Sequence, residues 1–263
     1  MRALLLNVVA LVVAVTDVLA CSVPLKSTRT SFTASVTVEG EGPFRFLVDT
    51  GSSLTVIDRA LAQRLRLPSG KPIEAITTSG AASVVRSTVT ELRAGSLIVA
   101  NLPVLVTPLP HFPSHGRVDG IVGMNALANR SFVLDVERRC LDIDAIEPEG
   151  TTLAAREVAS RVTIAIDEVN FVLDSGASFP VLMTLRARAL GVRNGASHVT
   201  TAGGVHAMES ARIPELRAGN VRLRDLDAVF APPTGDPRED ALLPVTAFRR
   251  IYVDAARTRV ILQ

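Results

Sequence analysis

Two aspartates stand out by the residues next to them: Asp49-Thr50-Gly51 and Asp174-Ser175-Gly176, 125 residues apart in a chain of 263. An Asp-Ser/Thr-Gly string arises by chance about once per couple of thousand positions. A single copy reads as a turn, because Asp and Gly both favour turns. Two copies carry more, since each comes after a Phe and two aliphatic residues, Phe46-Leu47-Val48 and Phe171-Val172-Leu173. Carboxyl groups held within hydrogen-bonding distance cannot both ionise comfortably, so they share one proton near neutral pH. One member is then a base for a water, while the other, still protonated, polarises a carbonyl and later donates its proton. This chemistry hydrolyses an amide with no metal, cofactor or covalent intermediate. The titration belongs to the pair, so neither aspartate is singled out as acid or base.

The elements that must position these residues occur twice. FLVDTGSSLTVI, ending at Ile57, pairs with FVLDSGASFPVL, ending at Leu182. Glu91-Leu92-Arg93-Ala94-Gly95 recurs as Glu215-Leu216-Arg217-Ala218-Gly219, and Thr77-Thr78-Ser79-Gly80 matches Thr200-Thr201-Ala202-Gly203. Asp119-Gly120-Ile121-Val122-Gly123 lines up with Asp240-Ala241-Leu242-Leu243-Pro244, and FVLDVERRCLDI with IYVDAARTRVIL. The order is kept and the offset drifts only from 125 to 119, which identifies a duplication. Each half reads as short strands. VTVEGEGPFRFLVD predicts a hairpin around Gly-Glu-Gly-Pro, and VTIAIDEVNFVLD repeats it with a tighter turn. A short helix comes after each aspartate loop, over 58–65 and 184–190, with Leu61 and Leu65 on one face. TPLPHFPSHGRVDG and FAPPTGDPRED are loops at matching places. The expected organisation is an export segment over 1–20, a first lobe over 21–146, a linker over 147–156 and a second lobe over 157–263.

Taken together these motifs resemble the pepsin–retropepsin superfamily of aspartic peptidases, and most of all its small bacterial retropepsin-like members. The resemblance covers nearly all of the chain after the export segment, in two tandem copies. It implies a mainly β fold of two homologous acid-protease-like β-barrel lobes with short helices. The active-site cleft lies between them, and Asp49 and Asp174 are the catalytic pair. It further implies that Gly51 and Gly176 bring backbone N–H groups to the carboxylates, and that Thr50 and Ser175 cross-brace the lobes. Asp119–Met124 resembles the family element that threads behind the aspartate loop. Thr78, Ser79 and Gly80, with Thr201, Ala202 and Gly203, fall where flap tips would be. The pepsin flap tyrosine is absent, since Tyr252 is the only Tyr and lies elsewhere, which favours two similar flaps. Pro244 stands where the first half has Gly123, a departure from the pattern. So does Ala177, where Ser52 can offer its hydroxyl to Asp49. That difference predicts a pair less acidic than pepsin's. Implied partners are peptide or protein substrates in extended conformation; no cofactor is implied, and one chain suffices for catalysis.

The bulk of the sequence agrees. Hydrophobic residues are 48% and aromatics 4%, so the core must be Val, Leu, Ile and Ala, a composition that favours strands. A formal charge of +2 without a dense Lys/Arg run argues against a nucleic-acid partner. Met1-Arg2, the apolar run to Ala20 and then Cys21 describe an export signal. Expected destinations are the periplasm, cell envelope or exterior. Val18-Leu19-Ala20-Cys21 also resembles a bacterial lipobox, which would lipidate Cys21 and tether the chain to a membrane. The competing reading is a disulfide between Cys21 and Cys140, the only two cysteines. Sequence leaves both open. His111 and His115 flank a proline loop rather than a metal-binding helix, and His206 comes after the second flap tip.

Overall fold

The computed structural model describes residues 21–27, 30–77, 80–112, 116–201, 204–232 and 238–263. The proposed export segment, residues 1–20, lies outside them. The first lobe opens with β1 (Val23–Ser27), then the hairpin of β2 (Phe32–Val38) and β3 (Glu41–Val48). Its turn is Glu39-Gly40, with φ of 53° and 78°, the left-handed pair that matches the strand twist in a two-residue hairpin. The expected turn over Gly-Glu-Gly-Pro is therefore displaced. Pro43 sits inside β3, which pairs with a register shift between Val36 and Val38, a tolerated place for a residue without an N–H. β4 (Thr55–Asp58) runs into α1 (Arg59–Arg64), where the Asp58 side chain caps the helix by accepting from the Ala60 N–H. Leu61 is buried beneath it and Leu65 packs at the core's edge. Next come β5 (Pro72–Thr77), β6 (Gly80–Ala94), β7 (Leu97–Thr107) and β8 (Gly120–Val122). The lobe ends with β9 (Phe132–Asp135) and β10 (Cys140–Ile143).

The second lobe repeats this plan. β11 (Thr151–Val158) leads to the hairpin of β12 (Arg161–Ile166) and β13 (Val169–Asp174). Its turn, Asp167-Glu168, is again left-handed at both residues, so both turns are two residues long. After it come β14 (Val181–Leu182), α2 (Leu185–Arg188), β15 (Val192–Thr201), β16 (Gly204–Ala218) and β17 (Val221–Phe230). β18 (Ala241–Pro244), β19 (Arg250–Val253) and β20 (Arg259–Leu262) close the chain. The pairings around the aspartate loops coincide lobe for lobe. β8 lies parallel to β3 and antiparallel to β4, as β18 lies parallel to β13 and antiparallel to β14. β4 is parallel to β7 as β14 is to β17. The stretch expected as the linker, 147–156, runs into strand β11 from Thr151 onward. Thr151–Ala154 pair with β20 and Ala155–Val158 with β12, so this polar stretch is a strand with buried Ala155 and Val158.

A six-stranded sheet joins the lobes, in the order β1–β10–β9–β19–β20–β11. At its centre Phe132 faces Val253 and Leu134 faces Ile251. The duplication equates Phe132 with Ile251 and Leu134 with Val253, so the register is self-complementary, like a twofold interface within one chain. All four side chains are buried, and one apolar core runs through both lobes. Arg250 adds a 2.6 Å ion pair to the buried carboxylate of Asp135.

A disulfide links Cys21 to Cys140 across 119 residues, beside the pairing of β1 with β10. Of the two alternatives for Cys21, the structure holds this one. A sulfur in a disulfide has no valence left for a lipid thioether, so lipidation of Cys21 gives way to the crosslink. Among the described residues no helix is long and apolar enough to cross a membrane. Closing so long a loop restricts the unfolded chain, and reducing the bond should cost about 4 kcal/mol. Urea unfolding with and without reductant checks this; an unchanged midpoint would contradict it.

Candidate active site

Asp49 directly follows β3 and Asp174 ends β13, and each of these strands is held from behind. The Asp49 N–H donates to the Val122 carbonyl at 3.0 Å, and Asp174 lies opposite Pro244 in the parallel pairing of β13 with β18. This is the threading element expected of Asp119–Met124, present in both lobes. Between the aspartates four buried hydrogen bonds cross from lobe to lobe. The Thr50 hydroxyl donates to the Leu173 carbonyl at 2.7 Å and accepts from the Ser175 N–H at 3.0 Å. Reciprocally, the Ser175 hydroxyl donates to the Val48 carbonyl at 2.8 Å and accepts from the Thr50 N–H at 3.0 Å. Both hydroxyls are fully used, and the two residues are buried. Among the described residues nothing else fixes the separation of the carboxyl groups so directly.

The glycines are required by space as well as by bonding. A Cβ on Gly51 would lie 2.4 Å from Asp174 Cγ, and one on Gly176 would lie 2.7 Å from Asp49 Cγ. Each carboxyl thus rests on the opposite lobe's glycine. The Gly51 N–H donates to Asp49 Oδ1 at 2.9 Å and the Gly176 N–H to Asp174 Oδ1 at 2.7 Å.

The expected asymmetry at the next position is reversed. The Ser52 hydroxyl donates to the Leu54 carbonyl at 2.8 Å, not to Asp49, because the loop turns it back on its own backbone. Ala177, without a hydroxyl, nevertheless serves Asp174 through its N–H at 2.9 Å. Asp174 therefore has two backbone donors and Asp49 one. Burial pushes both carboxyls up. Asp49, further raised by the charge of Asp174 and its hydrogen bond to it, stands well above the ordinary 3.8. For Asp174 burial is opposed by the bond from Asp49, the Gly176 and Ala177 N–H groups and the nearby Arg161. The additional N–H at Asp174 favours its ionised form, so the two members of the pair are not equivalent.

Pro244 fits its lobe for a reason visible in the other. In the first lobe the Gly123 N–H donates to the Thr55 hydroxyl, while Asn125 accepts from both the N–H and the hydroxyl of Thr55. The duplication places Pro180 at Thr55 and Pro244 at Gly123, so donor and acceptor disappear together and neither group is stranded.

The flap expectations fall partly outside the described residues: Thr78, Ser79, Ala202 and Gly203 lie there. The flanking strands are described. β5 and β6 pair up to Thr77 opposite Gly80, and β15 and β16 up to Thr201 opposite Gly204. Each lobe thus carries a long β-hairpin, and the Thr201 hydroxyl donates to the Gly204 carbonyl. Sequence reasoning missed Arg161. Its side chain, 17% exposed, pairs with the buried Glu239 at 2.5 Å and donates to the Gly51 carbonyl at 3.4 Å. An alignment of the two halves down to Ser31 and Val118 would have exposed it as a charge pair present once.

The fold, the duplicated aspartate loops and their cross-brace define a single-chain, two-lobed aspartic protease architecture. The chain belongs to the aspartyl protease family, whose model matches residues 34–126 and 160–246, one region in each lobe. A comparison with curated proteins finds no match.

Two measurements probe this geometry. Thr50→Val strands a buried N–H and a buried carbonyl, and should cost about 2 kcal/mol or more by denaturant unfolding, whereas Thr50→Ser keeps most of that stability. The raised Asp49 means that the native state binds its proton more tightly than the unfolded chain does. The resulting stabilisation is full below the ordinary value of 3.8 and is lost as pH rises through the folded-state value. Asp49→Asn should therefore be more stable than wild type at neutral pH, with the gap closing as pH falls towards 3.8. A gap independent of pH would refute the shared-proton arrangement.

Proposed function

We propose that the chain is an aspartic endopeptidase that hydrolyses internal peptide bonds of an extended segment bound between its lobes. The observation that carries this is the contact of each carboxyl with the opposite lobe's glycine, locked by the Thr50–Ser175 brace. Simple peptide binding has no use for two carboxyl groups forced together against their repulsion.

In the proposed reaction Asp174, with two N–H donors, is the resting carboxylate and takes a proton from the attacking water. Asp49 carries the shared proton and donates a hydrogen bond to the scissile carbonyl. As the water oxygen bonds to the carbonyl carbon, the developing oxyanion takes up the Asp49 proton and a neutral gem-diol forms. Asp174 then passes its proton to the amine nitrogen, the C–N bond breaks, and a diol proton returns to Asp49. The resting pair is restored with no cofactor. Since both carboxyls are pushed up, activity should extend into mildly acidic or near-neutral pH. The two hairpins would cover the substrate, and one chain suffices for a complete site.

The Cys21–Cys140 disulfide supports export to an oxidising compartment, such as a periplasm or the exterior, because such bonds persist there and not in a reducing cytosol.

The test is cleavage of a diverse peptide library from about pH 3 to pH 8. Asp49→Asn and Asp174→Asn should each remove activity by about a thousandfold or more, and a pepstatin-type inhibitor should block it. Folded protein that binds peptides in the cleft but cuts none at any pH would replace this reading with that of a binding protein.

A further inference from the structure

The two lobes superimpose in plan, yet one charged pair near the dyad occurs only once. Thr33 faces Leu47, two residues before Asp49, and Thr163 faces Val172, two residues before Asp174. Thr33 and Thr163 are thus equivalent, and so are Ser31 and Arg161. Likewise Asp119 matches Asp240, so Val118 matches Glu239. The first lobe fills these places with buried Ser31 and Val118, and the second with an ion pair. Packing alone does not ask for that replacement. A buried ion pair is at best a weak source of stability compared with apolar groups of similar volume, because both charges leave water. Arg161 Nε is moreover buried without a hydrogen-bond partner, so the guanidinium is not even fully satisfied.

The pair does touch the catalytic loop of the other lobe. Arg161 Nη1 donates to the carbonyl of Gly51, whose N–H holds Asp49. Two residues earlier, the turn between β11 and β12 receives the Ser53 hydroxyl on the Ala159 carbonyl. Building on the peptidase reading, we propose that Arg161, held by Glu239, is a positioning residue. It clamps the Asp49 loop from the opposite lobe and places one fixed positive charge beside the dyad, so that the pair rests singly ionised.

The charge environment is consistent with this. Arg161 acts on both Asp49 and Asp174 in the direction of ionisation, against their burial. Glu239, its ion-pair partner, lies two residues before the threading strand β18. On the same side of each lobe, Asp58 is engaged by Arg117 and Asp240 by Arg186. Along the paired lengths of the flap hairpins the charged and titratable residues are Glu74 in the first lobe and Arg193, His198, His206, Glu209 and Arg212 in the second.

Glu239 provides the discriminating experiment, because its removal and that of Arg161 change the charge beside the dyad in opposite senses. Carbon-13 carboxyl NMR of aspartate-labelled protein reads the dyad directly, its resonances identified by their loss in Asp49→Asn and Asp174→Asn. Glu239→Gln leaves Arg161 less compensated and should move the dyad's titration down by about one pH unit. Arg161→Met combined with Glu239→Gln should move it up by about as much, with the pH profile of peptide cleavage shifting alongside, while Arg161→Lys keeps the wild-type positions. Unmoved titrations in the folded double variant, or shifts of the same sign in both, would overturn the proposal. If the double variant does not fold, an unmoved titration in Glu239→Gln overturns it alone. Absence of cleavage by the wild type counts against the peptidase reading, and the NMR titration still decides the role of Arg161.

Discussion

Two carboxyl groups buried against one another are unfavourable twice over, since each loses water and each repels the other once ionised. The site can exist only if the backbone is held firmly enough to deny them any escape. Here the restraint is the reciprocal bonding of Thr50 and Ser175, which ties the strand leading into Asp49 to the strand ending at Asp174 and engages both hydroxyls and both N–H groups. Behind it β8 and β18 back the two loops, and the six-stranded sheet at the base sets the lobes in register. A single-chain duplication suits this task. The self-complementary pairing of β9 with β19 gives the approximate twofold axis about which the two loops meet.

The departures from symmetry are compensated in place. Pro180 and Pro244 remove together the donor and acceptor that Thr55 and Gly123 supply in the first lobe. Ala177 gives Asp174 a second N–H, so the two aspartates differ in their solvation although the chain around them repeats. Arg161 and Glu239 replace a small polar and an apolar residue by a charge pair against the loop of the opposite lobe. The last two changes make the surroundings of one aspartate unlike those of its twin.

Much of this was legible in the sequence because it depended on local pattern and repetition. The aspartate loops, their glycines, the two hairpins, the short helices and the threading strands come from short motifs repeated in the same order within one chain. The features that were not legible depend on where a group points after folding. Nothing in Ser52 announces that its hydroxyl returns to Leu54 rather than to Asp49, and Ala177 has no polar side chain to suggest that its N–H matters. The stretch 151–156 reads as a linker because its partners, β20 and β12, are supplied by the rest of the second lobe. For Cys21 the same residue type serves a lipobox or a disulfide, and only the nearness of Cys140 decides between them.

The central claim, that Asp49 and Asp174 hold one proton between them, is tested most directly by difference potentiometric titration. Wild-type protein is compared with the Asp49→Asn/Asp174→Asn double variant. The expected result is a plateau at which wild type carries one additional proton, persisting well above the ordinary aspartate value of 3.8 before it is released. Release of two protons together near that value would contradict it, for the carboxyl groups would then titrate as independent residues.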